Sequence, residues 1–159
     1  MISQGITVLG STGSIGQSTL DVLKRHPERF HVVALSAHTN MGRLAEQCAQ
    51  HNARFAVTSD DGKVKELRQA LDGLGCRAEI IAGQDALNTA ASMAETEMVM
   101  AAIVGAAGLE PTLQAVLSGK RLLLANKESM VIAGELFRQA AAASNTTIIP
   151  VDSEHNALF

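Results

Sequence analysis

Four short segments carry side chains whose types and spacing could bind a nucleotide or a metal ion. The first, at residues 10–16, reads Gly-Ser-Thr-Gly-Ser-Ile-Gly and stands between an apolar run and a helical pattern. Glycines permit a sharp turn there, and the N–H groups that begin the helix can donate to a pyrophosphate. The segment therefore predicts a dinucleotide-binding loop, with a purely structural turn as the alternative. It is not a Walker A loop, because no Lys-Ser or Lys-Thr pair follows its last glycine.

The second segment, residues 37–40, follows the next apolar run and reads Ala-His-Thr-Asn. Sites for NAD normally place an acid here, where it binds the hydroxyl groups of the adenosine ribose. This segment has no acid to repel a 2′-phosphate, and either Arg43 or His38 could contact one. We therefore expect NADPH rather than NADH. The alternative for Arg43 is a solvated charge in the first turn of a helix.

The third and fourth segments also follow apolar runs. Residues 125–129 read Ala-Asn-Lys-Glu-Ser, and polar groups at the end of a buried strand are costly unless they face a site. The alternative is a helix start with Glu128 in its first turn. Asp152 and Glu154 are two positions apart, so in an extended chain they point to one side and could bind one hard divalent cation. Ser153 between them could then contact a substrate, although a solvated acid pair is an equal alternative.

Alternating strands and helices must position these segments. Strands are predicted over residues 6–9, 31–36, 54–58, 78–81, 97–104, 121–125 and 147–151, and helices over 14–25, 41–51, 61–74, 84–93, 110–118 and 128–143. Most strands are apolar throughout, which is typical of a parallel sheet covered on both faces. The predicted fold class is α/β, a doubly wound and mostly parallel sheet with helices on both faces. Ligands of such sheets bind at the carboxyl ends of the strands, where all four segments fall.

The composition excludes several classes of partner. The 159 residues are 47% hydrophobic and 18% charged, which suffices for a core, and the formal net charge is -3. A slightly acidic chain with 3% aromatic residues and no Trp or Tyr does not suit duplex or single-stranded nucleic acid. No apolar run reaches the roughly 18 residues of a membrane span, and the amino-terminal sequence lacks the basic start of a signal peptide. We expect a cytoplasmic protein with a small-molecule substrate.

Together the segments resemble one enzyme family. The glycine loop, Ala-Ala-Ile-Val-Gly-Ala-Ala-Gly-Leu at 101–109, Leu-Leu-Ala-Asn-Lys-Glu-Ser at 123–129 and Val-Asp-Ser-Glu-His-Asn-Ala at 151–157 are similar, in register, to 1-deoxy-D-xylulose 5-phosphate reductoisomerases. The combination of the last two segments is specific, whereas no single segment is. The resemblance implies a Rossmann-like domain and an NADP-dependent oxidoreductase. Such an enzyme converts 1-deoxy-D-xylulose 5-phosphate into 2-C-methyl-D-erythritol 4-phosphate in non-mevalonate isoprenoid biosynthesis.

The resemblance also implies roles for individual residues. The candidate NADPH-binding residues are Gly10, Thr12, Gly13, Ser14, Ile15, Asn40, Asn126 and Glu128. The candidate metal ligands are Asp152 and Glu154, which would bind Mg²⁺ or Mn²⁺, with Co²⁺ as a further candidate. Lys127 and Ser153 match substrate-binding positions, and Lys127, Ser153 and Glu154 form the candidate catalytic set. Close relatives often carry Gly-Lys or Gly-Arg where this chain has His38-Thr39, which leaves open which side chain binds the 2′-phosphate.

The family also implies a division of the chain. Residues 1–150 correspond to the NADPH-binding domain, and residues 151–159 to the start of a catalytic domain that is truncated here. In the family, the later domains supply a third carboxylate ligand and most contacts to the substrate phosphate. This polypeptide alone is therefore expected to be an inactive fragment, and the complete protein is expected to be a homodimer.

Two other functions fit parts of the sequence. An NADP-dependent dehydrogenase of the aspartate-semialdehyde type also begins with a glycine-rich loop, but its chemistry needs a reactive cysteine. Neither Cys48 nor Cys76 follows the carboxyl end of a predicted strand, and both are expected to be reduced thiols. A non-catalytic NADP(H)-sensing module would bind the cofactor but has no use for the segment around Asp152. The reductoisomerase explains the glycine loop and the acidic segment together.

Overall fold

Seven strands and six helices alternate along the part of the chain that the computed structural model describes, residues 2–125 and 127–151. The strands are β1 (Gln4–Leu9), β2 (Phe30–Ser36), β3 (Phe55–Thr58), β4 (Glu79–Ala82), β5 (Met98–Ala101), β6 (Arg121–Leu124) and β7 (Ile148–Pro150). The helices are α1 (Ser14–Arg25), α2 (Met41–His51), α3 (Val64–Gly73), α4 (Ala86–Ser92), α5 (Leu109–Leu117) and α6 (Lys127–Ser144). All the strands belong to one parallel sheet in the order β4-β3-β2-β1-β5-β6-β7.

The two faces of the sheet have separate hydrophobic cores. One core joins the sheet to α1, α2 and α3, with Leu20, Leu44 and Leu67 among its buried side chains. The other joins the sheet to α4, α5 and α6, with Val116 and Phe137 among its fully buried side chains. The chain steps outward from β1 to β4 under the first set of helices and returns to β5, β6 and β7 under the second. The predicted α/β class, a doubly wound sheet with helices on both faces, is confirmed.

The helices face the sheet because their apolar residues recur at helical spacing. In α2 the buried residues Met41, Leu44, Ala45 and Cys48 form one stripe at positions i, i+3, i+4 and i+7. Burying one leucine of such a stripe contributes about 1.5–3 kcal/mol. Helix α4 instead buries only alanines against the sheet, so it can approach the strands closely. No helix in the described part of the chain is long and apolar enough to cross a membrane.

Most elements begin or end within three residues of their predicted bounds, and two differ in a way that bears on the site. The strand predicted over residues 97–104 ends at Ala101, because Ala101 pairs with Leu9 and Leu124, the last residues of the neighbouring strands β1 and β6. The apolar residues that follow Ala101 leave the sheet and line a cavity instead. The helix predicted over 128–143 is present, but the backbone at Ala133 is non-helical and kinks α6.

The two thiols differ in burial, and we expect them to differ in reactivity. Burial among the core residues of α2, together with the nearby Cys76, raises the pKa of Cys48 to about 12. Because only a thiolate attacks a disulfide reagent, the folded protein is expected to react through half-buried Cys76 alone at neutral pH. A thiol titration with an aromatic disulfide should count one group before unfolding in urea and both groups after it.

The Cys76→Ala variant is the control for this titration, and its folded form should show no reactive thiol. Rapid reaction of that variant would contradict the burial of Cys48.

The raised pKa of Cys48 also affects stability, because the unfolded thiol releases its proton near pH 9 and the folded one only near pH 12. The contribution of Cys48 to the free energy of unfolding is therefore full below pH 9 and declines as the pH rises above it.

Candidate cofactor site

Backbone hydrogen bonds just beyond the strand ends bring four loops to one edge of the sheet. The donor–acceptor pairs are Ser11 N to Ser36 O (2.8 Å), Ala102 N to Leu9 O (3.0 Å), Ala125 N to Ala101 O (3.1 Å) and Val151 N to Leu124 O (2.9 Å). The donors belong to the glycine loop at 10–16, the segment after β5, the segment after β6 and the residue after β7, and the acceptor Ser36 is the last residue of β2. The chain turns toward opposite faces after β1 and after β5, which opens a crevice between these two strands.

Two glycines of the loop stand where no side chain would fit. Gly10 has a φ of 79°, in the left-handed region, and a Cβ there would lie 2.8 Å from the carbonyl oxygen of Ala102. A Cβ on Gly16 would lie 2.4 Å from Gly10 O and 2.6 Å from Ser11 O. Helix α1 therefore packs directly on the backbone of the loop. This close approach explains the spacing of the glycines in the sequence.

The amino-terminal end of α1 is suited to an anion. Gly13 is the N-cap residue, and no side chain in the described part of the chain makes a capping hydrogen bond there. The first turn carries no acidic residue, so only the positive end of the helix dipole acts on a ligand. Gly13, Ser14 and Ile15 are exposed, and Thr12 is half-buried. Backbone N–H groups and hydroxyl groups are thus accessible to phosphate oxygens.

A cavity of about 400 Å³ extends from this loop across the ends of β1, β2, β3 and β5. Its lining residues are Gly10, Thr12, Gly13, Ser36, Ala37, His38, Thr39, Ser59, Leu87, Ala102, Ile103, Val104 and Ala107. Ser59 is not among the predicted site residues, although it directly follows β3 and ligands of parallel sheets bind at the carboxyl ends of the strands. Leu87 comes from α4, and no local pattern marks it as a cavity residue. Residues 102–104 fall within the predicted strand 97–104, although Gly105 directly after them has a positive φ and indicates a turn.

The turn after β2 lies beside the cavity, although not all of its residues line it. No acid stands at residues 37–40, and His38 and Thr39 line the cavity. Asn40 caps α2, and its Oδ1 accepts a hydrogen bond from Arg43 N at 3.0 Å. Asn40 is exposed and is not among the residues that line the cavity. Arg43 is half-buried, and its Nη1 pairs with Glu46 Oε2 at 3.0 Å.

The remaining predicted site residues lie partly or wholly outside the described residues. Asn126, Asp152, Ser153 and Glu154 are not described, and Lys127 is described only as the first residue of α6, without its side chain. Glu128 is exposed in the first turn of α6. Within residues 2–125 and 127–151, no group of three or more His, Cys, Asp or Glu side chains could hold a metal ion. The assignments of these residues stay predictions.

Comparisons with known proteins agree with the sequence and the fold. A family model described as 1-deoxy-D-xylulose 5-phosphate reductoisomerase matches residues 6–134. The reductoisomerase of Saccharophagus degradans is 54% identical over 156 residues, which are 98% of this chain and 40% of that protein. The chain therefore spans about two fifths of the length of this curated relative.

Two solved structures have the same architecture. A reductoisomerase from Zymomonas mobilis in complex with NADPH superposes with a TM-score of 0.92 at 47% identity, over 98% of this chain and 40% of the other. A second reductoisomerase, in complex with NADPH, fosmidomycin and magnesium, gives a TM-score of 0.90 at 41% identity, over 96% of this chain and 37% of the other. Both similarities extend over nearly all of the seven-stranded sheet and its helices.

Proposed function

This chain belongs to the 1-deoxy-D-xylulose 5-phosphate reductoisomerase family, and we propose that it forms the NADPH-binding part of such an enzyme, an NADP-dependent oxidoreductase. The reaction is the conversion of 1-deoxy-D-xylulose 5-phosphate into 2-C-methyl-D-erythritol 4-phosphate in non-mevalonate isoprenoid biosynthesis. The observation that carries the proposal is the loop at 10–16. Its glycines let α1 pack on the loop backbone, and the uncapped start of α1 faces the edge of the sheet where the cavity opens.

The proposed NADPH site divides into three parts. The backbone and hydroxyl groups of Gly10, Thr12, Gly13, Ser14 and Ile15 hold the pyrophosphate. Asn40 contacts the adenosine half of the cofactor, beside His38 and Thr39. Asn126 and Glu128 bind the cofactor at the end of β6. Two relatives with closely similar structures are complexes with NADPH, which supports this assignment.

We assign the chemistry to the segments that follow β6 and β7. Lys127 and Ser153 bind the phosphosugar substrate, and Asp152 and Glu154 hold a divalent cation, Mg²⁺ or Mn²⁺, through the oxygen ligands that such ions prefer. When bound, NADPH supplies a hydride, and the cation polarises substrate oxygens as a Lewis acid. The ammonium group of Lys127 attracts and orients the anionic substrate, while the carboxylates of Asp152 and Glu154 fix the position of the ion. Lys127, Ser153 and Glu154 are the proposed catalytic residues.

The proposal includes the organisation of the natural-length protein. Residues 1–150 form its NADPH-binding domain, and residues 151–159 begin its catalytic domain. A polypeptide limited to residues 1–159 binds the cofactor but does not turn over, because it lacks the later domains that supply a third carboxylate ligand and most phosphate contacts. The natural-length protein is a cytoplasmic homodimer with a phosphosugar substrate and no nucleic-acid or membrane partner. The relative in which this chain covers 40% of the length supports the presence of further domains.

A direct titration tests cofactor binding. We expect the natural-length protein to bind NADPH more tightly than NADH in isothermal titration calorimetry, since no acid follows β2. A folded protein that binds neither nucleotide would contradict the proposed function. Binding of both with equal affinity would contradict only the preference for the 2′-phosphate.

A separate prediction concerns which side chain causes the preference for NADPH over NADH. The Arg43→Ala variant is expected to weaken NADPH binding about tenfold, because a charge-assisted hydrogen bond to a phosphate contributes about 1.5–3 kcal/mol. NADH binding should hardly change, since NADH has no 2′-phosphate. If His38 is the contact instead, the same pattern should appear in His38→Ala. Titration of both variants with both nucleotides distinguishes the two residues.

The matched control is Arg138→Ala. Like Arg43, Arg138 pairs with a glutamate three residues away, Glu135, but it is exposed and lies on α6, on the opposite face of the sheet from α2. The Arg138→Ala variant should bind NADPH and NADH with the same affinities as the unmodified protein. Unchanged NADPH affinity in both Arg43→Ala and His38→Ala would exclude these side chains from 2′-phosphate recognition.

A further inference from the structure

The glycine loop is held from below by a buried polar network that reaches it from α2. Ser11 is fully buried, and its Oγ donates to Gln47 Oε1 at 2.7 Å. The side-chain Nε2 of Gln47 donates in return to Ser11 O at 2.9 Å. Gln47 is 2% exposed. One amide group thus satisfies both the hydroxyl and the carbonyl of the same loop residue.

A second arm of the network comes from the end of β2. Gly10 N donates to Ser36 Oγ at 2.9 Å, and Ser11 N donates to Ser36 O at 2.8 Å. These bonds matter because Gly10 and Ser11 precede α1 and lie beyond β1, so neither element supplies their partners. Buried backbone groups without a partner would destabilise the loop by about 1–3 kcal/mol each. Ser36 and Gln47 therefore determine the path of the backbone between β1 and α1.

Gln47 also connects the two halves of the proposed cofactor site. It lies on α2 one helical turn after Arg43, and Asn40 caps the same helix. The start of α2 faces the expected position of the 2′-phosphate, and its middle holds the loop that faces the pyrophosphate. The reciprocal pair of hydrogen bonds keeps the Gln47 amide in one orientation, since a flip would place its oxygen against the oxygen of Ser11. The loop is then already in one conformation before a ligand arrives.

We propose that Gln47, assisted by Ser36, is a positioning residue that holds the glycine loop ready for NADPH and couples it to the turn at the start of α2. Gln47 does not touch the cofactor, because it is buried beneath the loop. It acts through Ser11, whose backbone leads into the turn that presents Thr12 and Gly13. This inference rests on the proposed function of the loop.

The test is the Gln47→Met variant of the natural-length protein, which keeps the length of the side chain and removes both hydrogen bonds. We expect its dissociation constant for NADPH to rise about tenfold, because the loop must now be ordered at the moment of binding. In turnover assays, KM for NADPH should rise while kcat at saturating NADPH changes little. A residue that merely stabilised the fold would not produce this separation of KM from kcat.

The control is Thr96→Val, which removes a different buried hydrogen bond. Thr96 Oγ1 and Thr7 Oγ1 are 2.8 Å apart, and both side chains are fully buried, but Thr96 precedes β5 and lies at the opposite end of the sheet from the loop. We expect Thr96→Val to lower the thermal unfolding temperature and to leave NADPH affinity unchanged. Should Gln47→Met fail to fold, Ser11→Ala takes its place, because it removes the Oγ that donates to Gln47 Oε1 and Ser11 does not line the cavity.

The outcomes separate the inference from the function on which it rests. Weaker NADPH binding in Gln47→Met or Ser11→Ala, with unchanged binding in Thr96→Val, supports the positioning role. If Gln47→Met and Ser11→Ala bound NADPH as tightly as the unmodified protein, the positioning role would be overturned while the proposed function stayed intact. An equal loss in Thr96→Val would also overturn it, since the effect would then follow from stability alone. If the unmodified protein bound no NADPH, the proposed function and this inference would both be wrong.

Discussion

Replacing Gly16 with alanine is expected to raise the dissociation constant for NADPH roughly a hundredfold or more. The new Cβ would lie 2.4 Å from Gly10 O and 2.6 Å from Ser11 Cα, far inside van der Waals contact. Both neighbours are backbone atoms, so the loop itself must move away from α1. Overpacking of this kind costs up to about 3 kcal/mol, and each 1.4 kcal/mol corresponds to a factor of ten. Calorimetric titration of the natural-length variant with NADPH measures the loss.

Gly73→Ala is the matched control for this substitution. Gly73 is the last residue of α3, and a Cβ there would meet no atom within 4 Å. This variant should bind NADPH normally and should be as stable as the unmodified protein or slightly more so, because alanine favours a helix. Normal NADPH affinity in a folded Gly16→Ala protein would show that the close packing of α1 on the loop is not needed for binding.

Replacing the proposed metal ligands is expected to have the largest effect on turnover. In the natural-length protein, Glu154→Gln and Asp152→Asn should each lower kcat roughly a hundredfold and raise the concentration of Mg²⁺ or Mn²⁺ needed for half-maximal activity. The reason is that loss of a negative ligand weakens the hold on a cation whose Lewis acidity contributes several kcal/mol to the transition state. Affinity for NADPH should hardly change, because the cofactor loop lies on a different segment. Steady-state assays across a metal titration, with calorimetry for NADPH, check both expectations.

Glu135→Gln serves as the control for these substitutions. Glu135 is an exposed acid of α6 that pairs with Arg138, so its loss should alter neither kcat nor the metal requirement. If Asp152→Asn or Glu154→Gln kept the metal dependence of the unmodified protein, that residue would leave the proposed ligand set.

The order and type of the elements could be predicted from the sequence because each strand and each helix has its own apolar pattern. Strands such as β2 and β3 are buried throughout their central residues, and the stripe in α2 has strict helical spacing. The end of β5 was predicted too late, because residues 102–104 are as apolar as a strand although they line a cavity. Hydrophobicity alone cannot distinguish burial between strands from exposure to a binding crevice.

The glycine loop could be predicted because its function constrains the backbone locally. The loop needs Gly10 at its sharp turn and Gly16 where α1 packs on it. Both glycines lie within residues 10–16, so a local sequence pattern reveals them. Gln47 could not be found in the same way, since it is one polar residue in an amphipathic helix and its partner Ser11 lies 36 positions earlier. Leu87 likewise reaches the cavity only through the packing of α4. Contacts that depend on tertiary packing leave no mark on the local pattern.

The most direct test of the reductoisomerase assignment is an assay of NADPH oxidation, monitored by absorbance. The natural-length protein is mixed with NADPH, 1-deoxy-D-xylulose 5-phosphate and Mn²⁺, with and without EDTA. We predict oxidation that depends on the substrate and stops on addition of EDTA, whereas a polypeptide limited to residues 1–159 should show none. A folded, natural-length protein that binds NADPH but does not oxidise it under these conditions would contradict the reductoisomerase assignment. The chain would then be interpreted as the dinucleotide-binding domain of a protein with another function.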